Sequence, residues 1–573
     1  MAKFLLGVVV GAIVTVLGIV IIVLAVSRIF ATKQPTIAAN SVLVLALNGD
    51  LPESAPVEMP IPFLESQSAP TVRDVWTSLR EAATDSRIKA VIIQPRGLIA
   101  GWGKLQEIRQ DLSDFKASGK PVYAYLESAG SQEYYLATVA DKIFLSPEDM
   151  LDVKGFHLEE MYLKNALDKL GVGVQVDHIG RYKDAGDIFT RTNMSPETRD
   201  VLGQVLDQIY GDFCATTAQA RHKSPDDLKT LVDMGPFLAS QAKAAGLVDA
   251  LGYEDQVYAE LKKKTGISEL NKLTIQTYFR AANGRGDRIA LLVGEGEIVA
   301  GEKENFGDGG TISSGGFAKL VRQVRGDRSI KGVILRIDSP GGDALASDEI
   351  LHELKLLSVA KPLVVSMSDL AASGGYFMSM TGDPVVAYPD TITGSIGVLY
   401  IRPNFHGLFD KLGIQDDMIS RGKLADMDSP YLPLSDAALQ KLHDSAEASY
   451  HDFVAKVAAG RKKTYDQVEP LAQGRVWMGA QAVQNGLVDQ MGGIDRAVML
   501  VRKKANLSPA GATNLVMYPP RRSVFEWLSS SSPDALADKA AAAKLRKALP
   551  GLPGPALLRG GLMRILPTAI QVR

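Results

Sequence analysis

Short apolar, β-branched runs alternate with amphipathic stretches along most of the chain. "KAVIIQP" from Lys89 and "KGVILRID" from Lys331 are almost wholly apolar, as strands covered on both faces are. "KLQEIRQDLSDFKAS" from Lys104 and "ASDEILHELKLLSV" from Ala346 carry apolar residues at i, i+3/i+4 and i+7, the stripe of a helix laid on a sheet. "KPVYAYL" from Lys120 and "KPLVVSM" from Lys361 supply the next strands. Strand, helix, strand in that order predicts parallel pairing through crossovers, an α/β fold.

These segments come in pairs because the chain repeats itself. Ile88 and Ile330 are 242 positions apart, as are Pro147 and Pro389, while Gly246 and Gly486 are 240 apart. A nearly constant offset marks a tandem duplication. The expected repeats span 40–280 and 288–510, joined by the polar, glycine-rich "AANGRGDR" from Ala281. Residues 511–573 form an extension outside the duplication. It contains "YPPRRS", "SSSSP" and "PGLPGP" around a helical "DALADKAAAAKLRKAL". Its "RRSVFEWLS" and "LLRGGLMRILP" suit either a membrane surface or a solvated extension packed weakly on the body.

At the other end, Phe4 to Val26 contains no charge. At about 1.5 Å per residue it spans the ~30 Å hydrocarbon core. A cleaved leader has an apolar region of only about 7–15 residues, so residues 1–30 read as a retained anchor in a lipid bilayer. Lys3 stands on one side of it and Arg28 and Lys33 on the other, so charge does not fix its orientation.

Composition narrows the function. A net charge of −2 lacks the basic footprint of a nucleic-acid binder. The single cysteine, Cys214, rules out an intramolecular disulfide and a cysteine metal cluster. No metal or cofactor is expected.

The two copies differ where chemistry would sit. The second has "DSPGGD", Asp338 to Asp343, where the first has "QPRGLIAG". The second has "ASGGYF" around Ser373, where the first has "GSQEYY" around the aligned Ser131. Glycine lets a backbone approach a ligand and turn its N–H groups toward it. Ser373, before Gly374 at the start of a helix, is a candidate nucleophile beside an anion cradle. Gly374, Gly341 and Gly342 are candidate oxyanion donors, each donor commonly contributing about 3–4 kcal/mol in acyl transfer. Two bases remain open. His406 is the histidine candidate, since triads assemble in space. A lysine is the other, provided that burial disfavours its charged form. Lys183 in "GRYKDAGDIF" and Lys423 in "SRGKLADMDSP" occupy aligned positions.

With "DSPGG", "ASGGYF", "TGSIGV" and "GRYKDAGDIFTRTNMSPE" together, the chain resembles the signal peptide peptidase A family in its long, tandem-repeat form. The resemblance implies two Clp/crotonase-like repeats behind one transmembrane helix. It implies a Ser/Lys dyad of Ser373 and Lys183, with Ser395 hydrogen-bonded to the lysine. It also implies a homotetramer at the bacterial inner membrane, its body in the periplasm, degrading remnant signal peptides and other hydrophobic peptides. The competing classes are a crotonase-like acyl-CoA enzyme and a non-catalytic membrane scaffold.

Overall fold

A computed structural model of the chain describes residues 35–54, 69–282, 284–302, 310–521 and 561–565, with Gly11, Val14, Gly18 and Val572. The anchor expected over Phe4 to Val26 lies outside the described residues apart from three positions, and "DALADKAAAAKLRKAL" lies wholly outside them. Among the described residues no helix is long and apolar enough to cross a membrane.

Each repeat is built on a parallel sheet. In the first, the strand order is Asn271–Thr274, Ser41–Gly49, Ile88–Leu98, Val122–Leu126, Lys142–Leu145, Ala250–Leu251. In the second it is Thr513–Tyr518, Asp287–Glu295, Gly332–Ser339, Leu363–Ala372, Val385–Ala387, Gln490–Met491. These six correspond strand for strand, and the second sheet adds Ile392–Gly394, parallel to Leu363–Ala372, and Val476–Met478, antiparallel to Ile392–Gly394. Asn271 and Thr513 lie at the duplication offset, and Thr513–Tyr518 pairs with Asp287–Glu295 of the second repeat. The sequence similarity of these edge strands has decayed, while their place beside the neighbouring strand has not.

The helices form where the stripes predict them, over Trp102–Lys116 and Ala344–Ala360. Asp343 of "DSPGGD" caps the second, its Oδ1 accepting from the Ala346 N–H at 2.7 Å. Ser195 and Ser435 likewise cap two long helices, Pro196–Ala220 and Asp436–Arg461. Burial makes a large core in each repeat, around Leu45, Ile93 and Leu112 in the first and Leu292, Leu335 and Leu354 in the second, beside smaller clusters that include Val42 and Ile92 in the first sheet and Leu291 and Ile334 in the second.

Several contacts tie the repeats together, two of them through the middle of the fold. Arg336, in the middle of "KGVILRID", is fully buried, and its Nη2 lies 2.7 Å from Glu53 and 2.6 Å from Glu107 of the first repeat. The second tie is a sheet that crosses between repeats. Its order is Thr311–Ser313, Glu297–Val299, Gly341–Asp343, Gly561–Ile565, Val398–Asn404, Gly173–Ile179. The last of these strands belongs to the first repeat and pairs antiparallel with Val398–Asn404 of the second.

Candidate active site

Ser373 stands at the end of the strand Leu363–Ala372 and caps a five-residue helix, Gly374–Met378. Its backbone has φ 54° and ψ −114°. A non-glycine residue held at positive φ costs about 1–3 kcal/mol and persists where its surroundings leave no choice. Here the Ser373 N–H donates to Gly394 O at 2.8 Å, and its carbonyl accepts from Phe377 N at 2.8 Å. The fully buried Tyr376 and Phe377 pin the helix to the core, and Tyr376 Oη donates to Leu487 O at 2.9 Å. Gly375 lies so close to the other strand end that a Cβ there would stand 2.6 Å from Ser339 O.

Lys183 arrives from the first repeat, in the turn after Gly173–Ile179. That turn rests on a loop of the second repeat. The Tyr182 N–H donates to Gln473 O at 2.7 Å, and a Cβ on Gly474 would stand 2.6 Å from Lys183 Cβ. Gly474 has φ +75°, so both its conformation and its space call for glycine. The lysine is 1% exposed. Its Nζ lies 2.8 Å from Ser373 Oγ and 2.9 Å from Ser395 Oγ, and donates to Ser395 O at 3.1 Å. Ser395 also has positive φ, 51°, and its N–H donates to Arg475 O at 2.7 Å. The three expected residues thus meet in one buried cluster drawn from both repeats.

The rest of the lysine motif builds the wall behind it. Burial pushes the Asp184 carboxyl above its ordinary range. Thr198 Oγ1 donates to it at 2.7 Å and lies 2.7 Å from Ser195 Oγ, which is how "DAGDIFTRTNMSPET" holds together. Gln473, Gly474 and Arg475 belong to the site but escaped the sequence reading. Arg475 stacks over Tyr182 at 5.1 Å and Trp477 at 4.7 Å, and a glycine beside a lone arginine is a weak pointer to that.

One of the candidate oxyanion glycines, Gly342, is required by space. Gly342 has φ +156°, and a Cβ on it would fall 1.9 Å from Ile298 O. Gly341 has φ +96°, and its N–H donates to Ser339 Oγ at 3.1 Å, so that donor is engaged within its own turn.

The other candidates lie elsewhere. Lys423 is exposed. His406 is exposed too, its Nε2 3.6 Å from Asp410, and the remaining six histidines are also exposed. The first repeat has filled the equivalent position with its own side chains. Ser131 is already in the first turn of the helix Ser131–Ala137, without the positive φ of Ser373. Glu133, in place of Gly375, accepts from Leu98 N at 2.6 Å and Gly130 N at 2.9 Å. Gln132, in place of Gly374, donates to Ala100 O at 2.8 Å.

The description of peptidase family S49 matches residues 114–268 and 355–508, one stretch in each repeat. The chloroplastic serine protease SPPA of Arabidopsis thaliana is 34% identical over 489 residues, covering 84% of this chain and 71% of its own. Protease 4 of Salmonella typhi is 34% identical over 473 residues, covering 80% and 75%. Protease 4 of Haemophilus influenzae is 31% identical over 520 residues, covering 86% and 83%. The acyl-CoA and scaffold readings therefore fall away. An α/β chain with a serine in a strained turn, duplicated along its length, is a serine peptidase, and it belongs to peptidase family S49.

Proposed function

We propose that the protein is a membrane-anchored endopeptidase with a Ser/Lys dyad split between its repeats, acting on remnant signal peptides and other hydrophobic peptides. The observation that carries this is the 2.8 Å approach of Lys183 Nζ to Ser373 Oγ in a buried setting. A neutral amine there accepts the hydroxyl proton as Oγ attacks the peptide carbonyl. Ser395, through its Oγ and O, fixes the direction of the amine's lone pair. Developing negative charge on the carbonyl oxygen falls near the Gly374 and Gly342 N–H groups, the Gly341 N–H being engaged by Ser339. Collapse breaks the C–N bond, the lysine returns its proton to the leaving amine, and water then releases the acyl group. Each repeat is read as Clp/crotonase-like, and the second keeps a glycine turn at one strand end facing a serine turn at the next.

The anchor over Phe4 to Val26 would hold the body at the bacterial inner membrane, on the periplasmic side, where apolar peptides leave the bilayer. Assembly is proposed from the duplication itself. Gly173–Ile179 of the first repeat pairs with Val398–Asn404 of the second. Their counterparts, 413–419 by the alignment of Lys183 with Lys423 and 156–162 by the offset of 242, form no strand within the chain, and 413–419 is exposed throughout, with Ile419 86% exposed. A neighbour that repeats the internal junction there would build a head-to-tail ring, with the homotetramer as its expected closure.

Labelling with a fluorophosphonate, followed by mapping of the modified residue, tests the dyad. One label per chain is expected at Ser373, with full labelling of Ser131→Ala and none of Ser373→Ala. A Ser373→Ala chain that still labels and still cleaves an apolar peptide would remove this mechanism.

A further inference from the structure

The helix Trp102–Lys116 of the first repeat starts from Gly101, which has no side chain to cap it. Its counterpart Ala344–Ala360 starts from Asp343, the equivalent position by the offset of 242, and caps itself. The first-repeat helix takes its cap from the second repeat instead. Asp369 accepts from the Gly101 N–H at 2.9 Å and from the Lys104 N–H at 2.6 Å. A Cβ on Gly103 would fall 2.9 Å from Ser368 O, so the helix start rests on the strand Leu363–Ala372 that leads into Ser373.

From that start the Lys104 side chain reaches between the two strand ends of the site. It is buried, with Nζ 2.7 Å from Asp338 Oδ2 and 3.6 Å from Asp369 Oδ2. Asp338 precedes Ser339, which meets both Gly341 and Gly375, and its Oδ1 accepts from the Leu370 N–H at 3.1 Å. One ammonium thus joins the foot of the glycine turn to the foot of the serine turn. Burial disfavours the charge on Lys104, but Asp338, Asp369, Glu53 and Glu295 outweigh it and hold the amine well above its ordinary pKa.

The duplication explains why a third partner is needed. Asp338 and Asp369 align with Arg96 and Glu127, which form an ion pair with each other inside the first repeat. The second repeat has an acid at both positions, so the two strand ends repel unless a cation lies between them. Lys104 aligns with Ala346, so the first repeat lends this cation and receives none in return.

We propose that Lys104 is a positioning residue for the reaction at the second repeat: held between Asp338 and Asp369, it sets the glycine turn against the serine turn. The effect on reaction rate rests on the reading of Ser373 as nucleophile, but the positioning itself does not.

The test uses two substitutions in the full chain, singly and together. Asp338→Asn keeps an acceptor for Leu370 and loses only the charge. Lys104→Met keeps the length of the side chain and loses the cation. Each single variant is expected to label with a fluorophosphonate at least about fivefold more slowly than the parent, counted per chain that labels, because a misplacement of about 1 Å can cost as much as ~10²-fold. The double variant should be no slower than Lys104→Met alone, since both changes act through one contact. Hydrogen exchange read by mass spectrometry should quicken at 339–345 and 370–378 in both single variants. If Lys104→Met does not fold, Asp338→Asn decides by itself. A lower melting temperature with an unchanged labelling rate per chain and unchanged exchange at both turns would make Lys104 merely structural and overturn the proposal. Single effects that multiply in the double variant would overturn it too. A parent chain that does not label at Ser373 would sink the nucleophile reading, and exchange at the two turns would then decide the positioning alone.

Discussion

Ser373 and Ser131 occupy equivalent points of the two repeats on different backbones. Ser373 is lifted out of its helix at positive φ, with two glycines behind it. Ser131 sits within its helix, with Gln132 and Glu133 folded over the neighbouring N–H groups. The two lysines divide the same way. Lys183 is buried against Ser373, and Lys423 is exposed. Lys183→Ala is therefore expected to lower kcat by at least the ~10²–10⁴ typical of a general base. Lys183→Arg should be as inactive, since arginine keeps its proton. Lys423→Ala should retain turnover within about twofold. Steady-state kinetics on an apolar peptide decides this, and a dead Lys423→Ala with an active Lys183→Ala would reverse the assignment.

At the scale of elements, the sequence made some parts plain. Ser373, Lys183 and Ser395 were each legible because a short motif stands around each residue. Helix faces and buried strands were legible through their periodicity. The contacts between repeats were not. "KGVILRID" showed an arginine in an apolar strand, but nothing in it pointed to Glu53 or Glu107, 283 and 229 positions away. Nor did "NLVMY" read as the partner of Asp287–Glu295, since register is set by a neighbour and not by the strand alone. Asp390 is a further case. This turn of the second repeat meets two helices of the first, where Gln106 Nε2 donates to Asp390 Oδ2 at 2.8 Å. Burial, and then the charge of Asp212, push the Asp390 carboxyl up to about 8. The folded chain thus holds a proton there that the unfolded chain gives up near the ordinary ~4. Stability from this group is lost as pH climbs from about 4 to about 8, and changes no further above that. Asp390→Asn should flatten the dependence. At pH 8.5 the variant should melt higher than the parent by about 2 °C or more, since each tenfold change in proton affinity on folding is worth ~1.4 kcal/mol. Near pH 4.5 the two should nearly coincide. Parallel melting curves at both pH values would show that Asp390 is not the proton holder.

The whole molecule is two copies of one unit that have ceased to be interchangeable. One junction strand pair is closed within the chain, and its counterpart, with Ile419 on one side, is open. On the proposed ring, an assembled mass is expected in analytical ultracentrifugation, and Ile419→Asp should shift it toward the single-chain mass. An unchanged mass would place the contact elsewhere. The distance along the chain between Lys183 and Ser373, 190 residues, has one more consequence. Domains generally fold as the ribosome releases them, at about 5–20 residues per second, so the serine follows the lysine by about 10–40 s. Through that interval the first repeat carries the lysine of the proposed dyad without its serine, so the pair cannot form until the second repeat has emerged.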